Sequence, residues 1–403
     1  MYLQGKFITD ITEADILELF RLPVKEGRTL DYKRELSLDD KENKKQNFII
    51  DVTALYNTDG GCIIYGIEEK KNERNENTGF PDTIIHQPYE NKERFEQQLH
   101  SIIKDNTDPS IPNIVVQFLT VEGKELFIVG VPRGLGLPSM ITYRDLNRFH
   151  RRSVSGNYVV TTFELNQMFL QNQAVKEKAS LFRSNRIAAI KSGEVFPDME
   201  VKGDYLLHLV PFSFLDERIY DLPPLVTSNL KIYPVNQESY YSKNLSQYNL
   251  DGLLTYKFEN GQKTITSCIQ YFRNGIIEAY TNRCHFTDEK SSQVHIRGNE
   301  IVTTTIFTVS NMVEVFKALE VEPPFAVYLN LLGVNNAMFI TPPSALAGYI
   351  MRSDVLLPPV LVNSYDFTYH ELFELLKPIF NILWQGVNLS ECPPIESFIK
   401  FQP

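Results

Sequence analysis

Three carboxylate positions and one amine lie early in this chain in a pattern that could do phosphate chemistry. Glu26 and Asp31 sit on either side of a short turn, Lys33 follows at once, and Glu68 and Glu69 close the apolar run 62–67. Carboxylates gathered around one point bind hard cations such as Mg²⁺ or Mn²⁺, which neutralise a phosphate and lower the pKa of an attacking water. Glu26, Asp31, Glu68 and Glu69 are therefore the candidate metal ligands and catalytic acids. Lys33 joins them because the two-residue period of a strand puts it on the same face as Asp31, where it could meet a phosphate or orient the water. The plainer reading is that all are solvated charges at strand ends, with Asp31 and Lys33 an exposed ion pair of little energetic weight. Spacing does not separate the two.

A second candidate is the stretch 143–152, where Arg144, Arg148, Arg151 and Arg152 are interleaved with Tyr143 and Phe149. Guanidinium forks fit phosphate oxygens and aromatic faces stack on bases, so the mixture suits RNA or single-stranded DNA. Lys44 and Lys45, in the first turns of a helix that also holds Lys41, could add to the same electrostatic footprint. The competing reading is a solvated surface that pairs with the abundant acids.

Elements must position these groups. The pattern predicts a helix over 11–20 behind Asp10, a strand over 29–36, a helix over 41–56 and a buried strand over 62–67 launched by the turn Asp59-Gly60-Gly61. A polar loop follows at 70–78, then a helix around Phe95, Leu99, Ile102 and Ile103 that ends at Asn106. Segments 114–119 and 125–131 flank Glu122-Gly123-Lys124 and read as a hairpin. Thr161 with Glu164 is a capping box that opens a long helix toward Ile190. Beyond Ser192-Gly193 the chain turns strand-rich, at 205–214, 252–258, 263–272, 276–284 and 325–332, and a last helix is anchored by Leu372, Leu376, Phe380 and the single tryptophan, Trp384.

The chain's 403 residues suffice for two domains, each with its own core. We expect an α+β fold divided into residues 1–172, a helical linker 173–193, and a β-rich domain 194–403 with a sensing or assembly role. No apolar run reaches the roughly 20 residues that span a bilayer, and no signal-peptide core opens the chain, so a cytoplasmic protein without a membrane partner is expected. Four scattered cysteines suit reduced thiols. With 50 acidic against 40 basic residues the net charge is −10, which argues against a protein that coats nucleic acid but not against a local basic groove.

Three blocks resemble a known family: residues 27–33 (Gly-Arg-Thr-Leu-Asp-Tyr-Lys), residues 52–68 with their Asn-Thr-Asp-Gly-Gly turn and following strand, and residues 131–133 with 149–157. They look like the Schlafen AlbA-type domain, also catalogued as a divergent AAA-type ATP-binding domain, over about the first 170 residues. The resemblance implies a nucleic-acid-binding α+β domain that often works as a dimer. In animal Schlafens the domain is a metal-dependent nuclease on transfer RNA or single strands, and in bacteria it is fused to varied modules, some in phage defence. Carried over by position, the acid triad falls on Glu26, Asp31, where the family usually has glutamate, and Glu68 or Glu69. The family's arginine before its Gly-Ser-Ser-Asn turn falls on Arg152. Three roles stay open: an endonuclease with Mg²⁺ or Mn²⁺, a non-catalytic regulator or assembly subunit that binds nucleic acid or a partner protein through its C-terminal domain, and an ATP-dependent switch. The last finds no phosphate loop, since Gly134-Leu135-Gly136 reads as a plain turn.

Overall fold

The structure, a computed structural model, describes the chain except residues 1, 5, 37, 39–43, 88, 90, 135–136, 196–200, 217, 228–229, 231, 233–234, 236–244, 259–264, 342–347 and 399–403. Lys41 and the centre of the Gly134-Leu135-Gly136 turn thus lie outside the described residues. Two compact units are present, Met1–Ala174 and Val175–Pro403. Helices and strands mix in both, so the fold is α+β as expected.

The first α-helix of the first unit, α1 (Glu13–Arg21), is held at its start by a capping box between Thr12 and Asp15 rather than by Asp10. Strand β1 (Leu30–Lys33) pairs in parallel with β2 (Gly61–Tyr65), and α2 (Lys44–Tyr56) makes the crossover between them. Next come β3 (Ile67–Lys71) and β4 (Asn77–Ile84), a hairpin, then α3 (Lys92–Asp105), β5 (Val115–Val121) and β6 (Lys124–Val131). The main sheet runs β1-β2-β6-β5. Both of its faces are covered. Ile63, Tyr65, Phe127 and Val129 pack with Phe48, Val52 and Leu55 of α2 on one side, while Leu30, Tyr32, Cys62, Ile64 and Ile128 pack with Ile16 and Leu19 of α1 on the other. That burial explains why every residue of β2 is apolar or glycine apart from its tyrosine hydroxyl.

The strand expected at 62–67 stops at Tyr65; Gly66, at φ 103°, breaks it, and the chain leaves the sheet to form β3 from Ile67. Since β2 stops at Tyr65, Arg34, Glu35 and Leu36 have no strand to pair with and β1 ends at Lys33 rather than at 36. The polar tract 70–78 is not a loop but the end of this hairpin. Asn72 accepts from the backbone N–H groups of Arg74 and Glu76 at 2.9 Å each and so builds the turn from its own side chain.

Strands β7 (His150–Ser153) and β8 (Gly156–Val159) form a second hairpin, followed by α4 (Thr162–Lys191). Thr161 and Glu164 cap α4 reciprocally, as the spacing required. The stretch 173–193 is the end of this helix and the turn after it; from Val175 on it counts with the second unit.

The second unit is built on an eight-stranded sheet that includes β9 (Asp204–Pro211), β10 (Leu245–Tyr248), β11 (Gly252–Phe258), β12 (Ile265–Phe272) and β13 (Ile277–Thr281), with Phe325–Leu332 beside β9. Its pairings are antiparallel. Helices α5 (Gly298–Ala318) and α6 (Tyr369–Gln385) pack on one face, where Trp384 is buried. Ile187 and Ile190 of α4 pack on the other with Leu206, Cys268 and Tyr280. Helix α5 was not expected: its start, Ile-Val-Thr-Thr-Thr-Ile, is β-branched and disfavours helix locally, and burial of Ile301, Val302, Thr305 and Ile306 overrides that preference. The four cysteines are buried and unpaired. Among the described residues no helix is long and apolar enough to cross a membrane.

The turn into β2 tests this architecture. Gly61 has φ 134°, and a Cβ there would come within 2.0 Å of the Thr29 carbonyl oxygen, which accepts the Cys62 N–H at 2.8 Å. Gly61→Ala should cost the first unit more than about 3 kcal/mol, read as a lower urea midpoint for its transition, because both backbone strain and a backbone clash must be absorbed.

Candidate nucleic-acid interface and acid cluster

The residues singled out around β1 do meet, though not as a set of metal ligands. Asp31 is 1% exposed and stands between two cations: its Oδ1 lies 2.9 Å from Arg152 Nη2 and its Oδ2 2.7 Å from Lys33 Nζ. Asp31 and Lys33 share the strand face that looks toward α2, from which Asp51 closes the far side of the ammonium group at 3.9 Å. Asn157 donates to Asp51 Oδ1 at 2.6 Å and also accepts from Arg152 Nη1 at 3.3 Å. Arg152 and Asn157 are themselves cross-strand partners in the β7–β8 hairpin, so one hairpin fixes both. The rest of the Arg152 guanidinium is spent on the backbone, with Nε on the Gly27 carbonyl at 2.7 Å and Nη2 on that of Leu30 at 3.3 Å.

Glu26 joins from the turn ahead of β1. One of its carboxyl oxygens accepts the Tyr32 N–H at 2.5 Å, its own N–H donates to the Gly79 carbonyl at 2.7 Å, and its carboxyl hydrogen-bonds that of Asp31. Burial, with the hydrogen bond and negative charge of Asp31 added, pushes Glu26 up to about 8. Burial would raise Asp31 too, but the charges of Lys33 and Arg152 outweigh it and hold that carboxyl below its usual range. Of the two, Glu26 is therefore the readier to hold a proton. Burial pushes Asp51 up to about 6 against the pull of Lys33. Burial also favours loss of the Lys33 proton, yet Asp51 and Asp31 keep the ammonium above its ordinary value.

The acid pair at 68–69 divides. Glu69 turns toward Glu26: its oxygens accept from Gly79 N–H at 2.9 Å and Asn77 Nδ2 at 2.8 Å, and its charge is felt at Glu26. Glu68 faces the other way, to Arg34 at 3.2 Å. Among the described residues no group of three or more His, Cys, Asp or Glu side chains could hold a metal ion. The reason is geometric: both oxygens of Asp31 already face cations and both of Glu69 are taken by hydrogen bonds. A dication beside Asp31 would stand against Lys33 and Arg152. The residues present do not fit the expected Mg²⁺ or Mn²⁺.

The basic residues also separate. Arg152 is 5% exposed and serves Asp31; it is not a phosphate-facing arginine. Arg144 and Arg148 are exposed and Arg151, on the alternate side of β7, is half-buried. Lys45 Nζ and the Arg144 guanidinium lie over the same Tyr143 ring, at 5.4 and 5.2 Å from its centroid. That ring is 7% exposed, so it holds two cations in place instead of offering a face to a base. Lys44 pairs with Glu35 at 2.7 Å.

Asp51 and Asn157 were missed as members of the cluster. Asp51 did leave a signal, as the one carboxylate inside the apolar stretch 48–56; the signal for Asn157 was its place closing the family-like turn after Arg152.

Residues 26–161 match the family described as Schlafen, AlbA_2, and the match ends ahead of the second unit. No curated protein matches the chain. Among solved structures, the DIP2311 protein of Corynebacterium diphtheriae is 18% identical over 38% of this chain, with a TM-score of 0.26, and the aligned part spans 30% of that protein's length. The N-terminal domain of a Nitrosomonas europaea protein described as ATP-dependent DNA helicase RecG-related is 19% identical, with a TM-score of 0.27 over 36% of this chain and 89% of that one.

Two variants probe the cluster. Arg152→Met leaves Asp31 buried with one cation fewer and should destabilise the first unit by roughly 3 kcal/mol in denaturant titration. Glu26→Gln, a fixed mimic of the protonated acid, should remove a pH dependence. Between 4.5 and about 8 only the folded state keeps the Glu26 proton, so wild-type stability falls as pH rises through that window. The melting temperature of Glu26→Gln should stand above wild type at pH 8 and converge on it near pH 4.5; parallel curves at all pH values would rule the raised proton affinity out.

Proposed function

We propose that the first unit is a nucleic-acid-binding module that grips the phosphate backbone, and that its acid cluster is a scaffold rather than a catalytic centre. The observation that carries this is the pairing of Lys45 and Arg144 on one tyrosine ring, which sets two cations at a fixed spacing beside exposed Arg148. The Schlafen, AlbA_2 match over 26–161 supports nucleic acid as the partner. The cluster contributes indirectly. Lys33 keeps 35% of its side chain exposed while that of Asp31 keeps 2%, so an incoming phosphate meets the ammonium and not the carboxylate. With Tyr143 covered, recognition rests on charge more than on base stacking. Binding to RNA or single-stranded DNA should be tolerant of sequence and steeply weakened by salt.

Fluorescence anisotropy with a labelled single-stranded RNA and a DNA oligomer of the same sequence tests this. Lys45→Ala, Arg144→Ala and Arg148→Ala should each weaken binding roughly five- to tenfold, about 1–1.4 kcal/mol, and each should lower the salt slope by about one. Binding that is indifferent to salt would point to a protein partner instead. The nuclease reading is tested in the same samples by adding Mg²⁺ or Mn²⁺: strand cleavage that appears with metal and disappears in Glu26→Gln would overturn the scaffold reading.

A further inference from the structure

The face of the large sheet that α4 covers carries a polar strip across neighbouring strands. Glu278 on β13 accepts from Arg186 of α4 through both oxygens, at 2.9 Å from Nε and 2.7 Å from Nη2, and lies 3.0 Å from His208 Nε2. With Asp251 Oδ2 at 3.9 Å as well, the Arg186 guanidinium is answered by carboxylates. Arg183, three residues earlier on the same helix, has no such answer. It is 8% exposed, and among the described residues it forms no ion pair. Its Nε donates to Asn330 Oδ1 at 2.7 Å and its guanidinium lies 5.2 Å over the Tyr328 ring, but its Nη2 is buried with no hydrogen-bond partner among the described residues.

The neighbourhood holds a second polar atom in the same condition. His208 is the cross-strand partner of Tyr328, and Phe182, next to Arg183, sets its ring edge-on to His208 at 5.7 Å. The Nδ1 of His208 is buried and unpartnered. A desolvated guanidinium with no counter-charge is strongly disfavoured. Its planar fork, here fixed in orientation by Asn330 and Tyr328, fits an oxyanion better than a halide.

We infer that Arg183 anchors a small-oxyanion site in the second unit, where a phosphate or carboxylate group docks against its Nη2 edge and His208 supplies the neighbouring polar atom. This stands apart from nucleic-acid binding by the first unit. The full chain would be titrated calorimetrically with inorganic phosphate and, separately, with acetate at constant ionic strength, and melted across the same concentrations. One of the two anions should bind saturably and raise the melting temperature; which one does distinguishes a phosphate ligand from a carboxylate. Arg183→Met should weaken that binding at least tenfold and, without anion, melt no lower than wild type, since an unanswered charge has gone. Asn330→Asp, which places a carboxylate at Arg183 Nε, should melt higher than wild type in anion-free buffer and lose the anion response; it decides the matter should Arg183→Met fail to fold. An equal anion response in wild type and both variants means an adventitious ion only and overturns the site. So does the absence of saturable binding of either anion to wild type.

Discussion

The first unit depends on one buried charge. Asp31 sits in the middle of a sheet edge with almost no exposure to water, and an ionised carboxylate there is tolerable only because two cations reach it from different parts of the chain. Lys33 comes from the same strand and costs nothing in topology. Arg152 comes from a hairpin far along the chain, and its remaining donors tie that hairpin to the carbonyls of Gly27 and Leu30. The demand for charge balance at a single carboxylate thus helps to fix where β7 and β8 dock, and with them the entry to α4. Asp51 and Asn157 close the circuit on the far side.

The same balance explains why an acid-rich motif need not be a metal site. Three carboxylates facing one another would repel and call for a dication. Here the repulsion is relieved in another way, by the raised proton affinity of Glu26 and by the guanidinium and ammonium on Asp31, while Glu69 is occupied by backbone and amide donors. Much of the negative charge of the cluster is thus answered within it, in a chain whose net charge is −10.

Much of this was legible in the sequence, and the limits have physical causes. The hairpin around Gly123, the capping box at Thr161 and the strand at 325–332 follow from local chemistry, and they stand where the pattern put them. Period two correctly set Asp31 and Lys33 on one face. It could not show that this face is covered by α2, because which helix lies over a sheet face is decided by packing between segments distant in sequence. For the same reason Arg152 looked like a surface arginine, Asp51 was overlooked, and Tyr143 looked available for stacking. The break at Gly66 hid differently: a glycine within an apolar run reads as part of the strand, yet its positive φ redirects the chain and gives Glu68 and Glu69 opposite destinies. Helix α5 was illegible because its threonine-rich start favours extended structure until burial decides otherwise.

The β3–β4 hairpin has an uneven tolerance along its length. At Gly79 its backbone holds Glu69 with the N–H and Glu26 with the carbonyl, so a residue inserted near that point would slide the register by one and pull both acids out of place. Its tip at 72–76 is closed by Asn72 alone and is exposed. An epitope or fluorophore grafted there would leave the acid cluster undisturbed, which makes the tip the natural handle for immobilising or labelling the first unit.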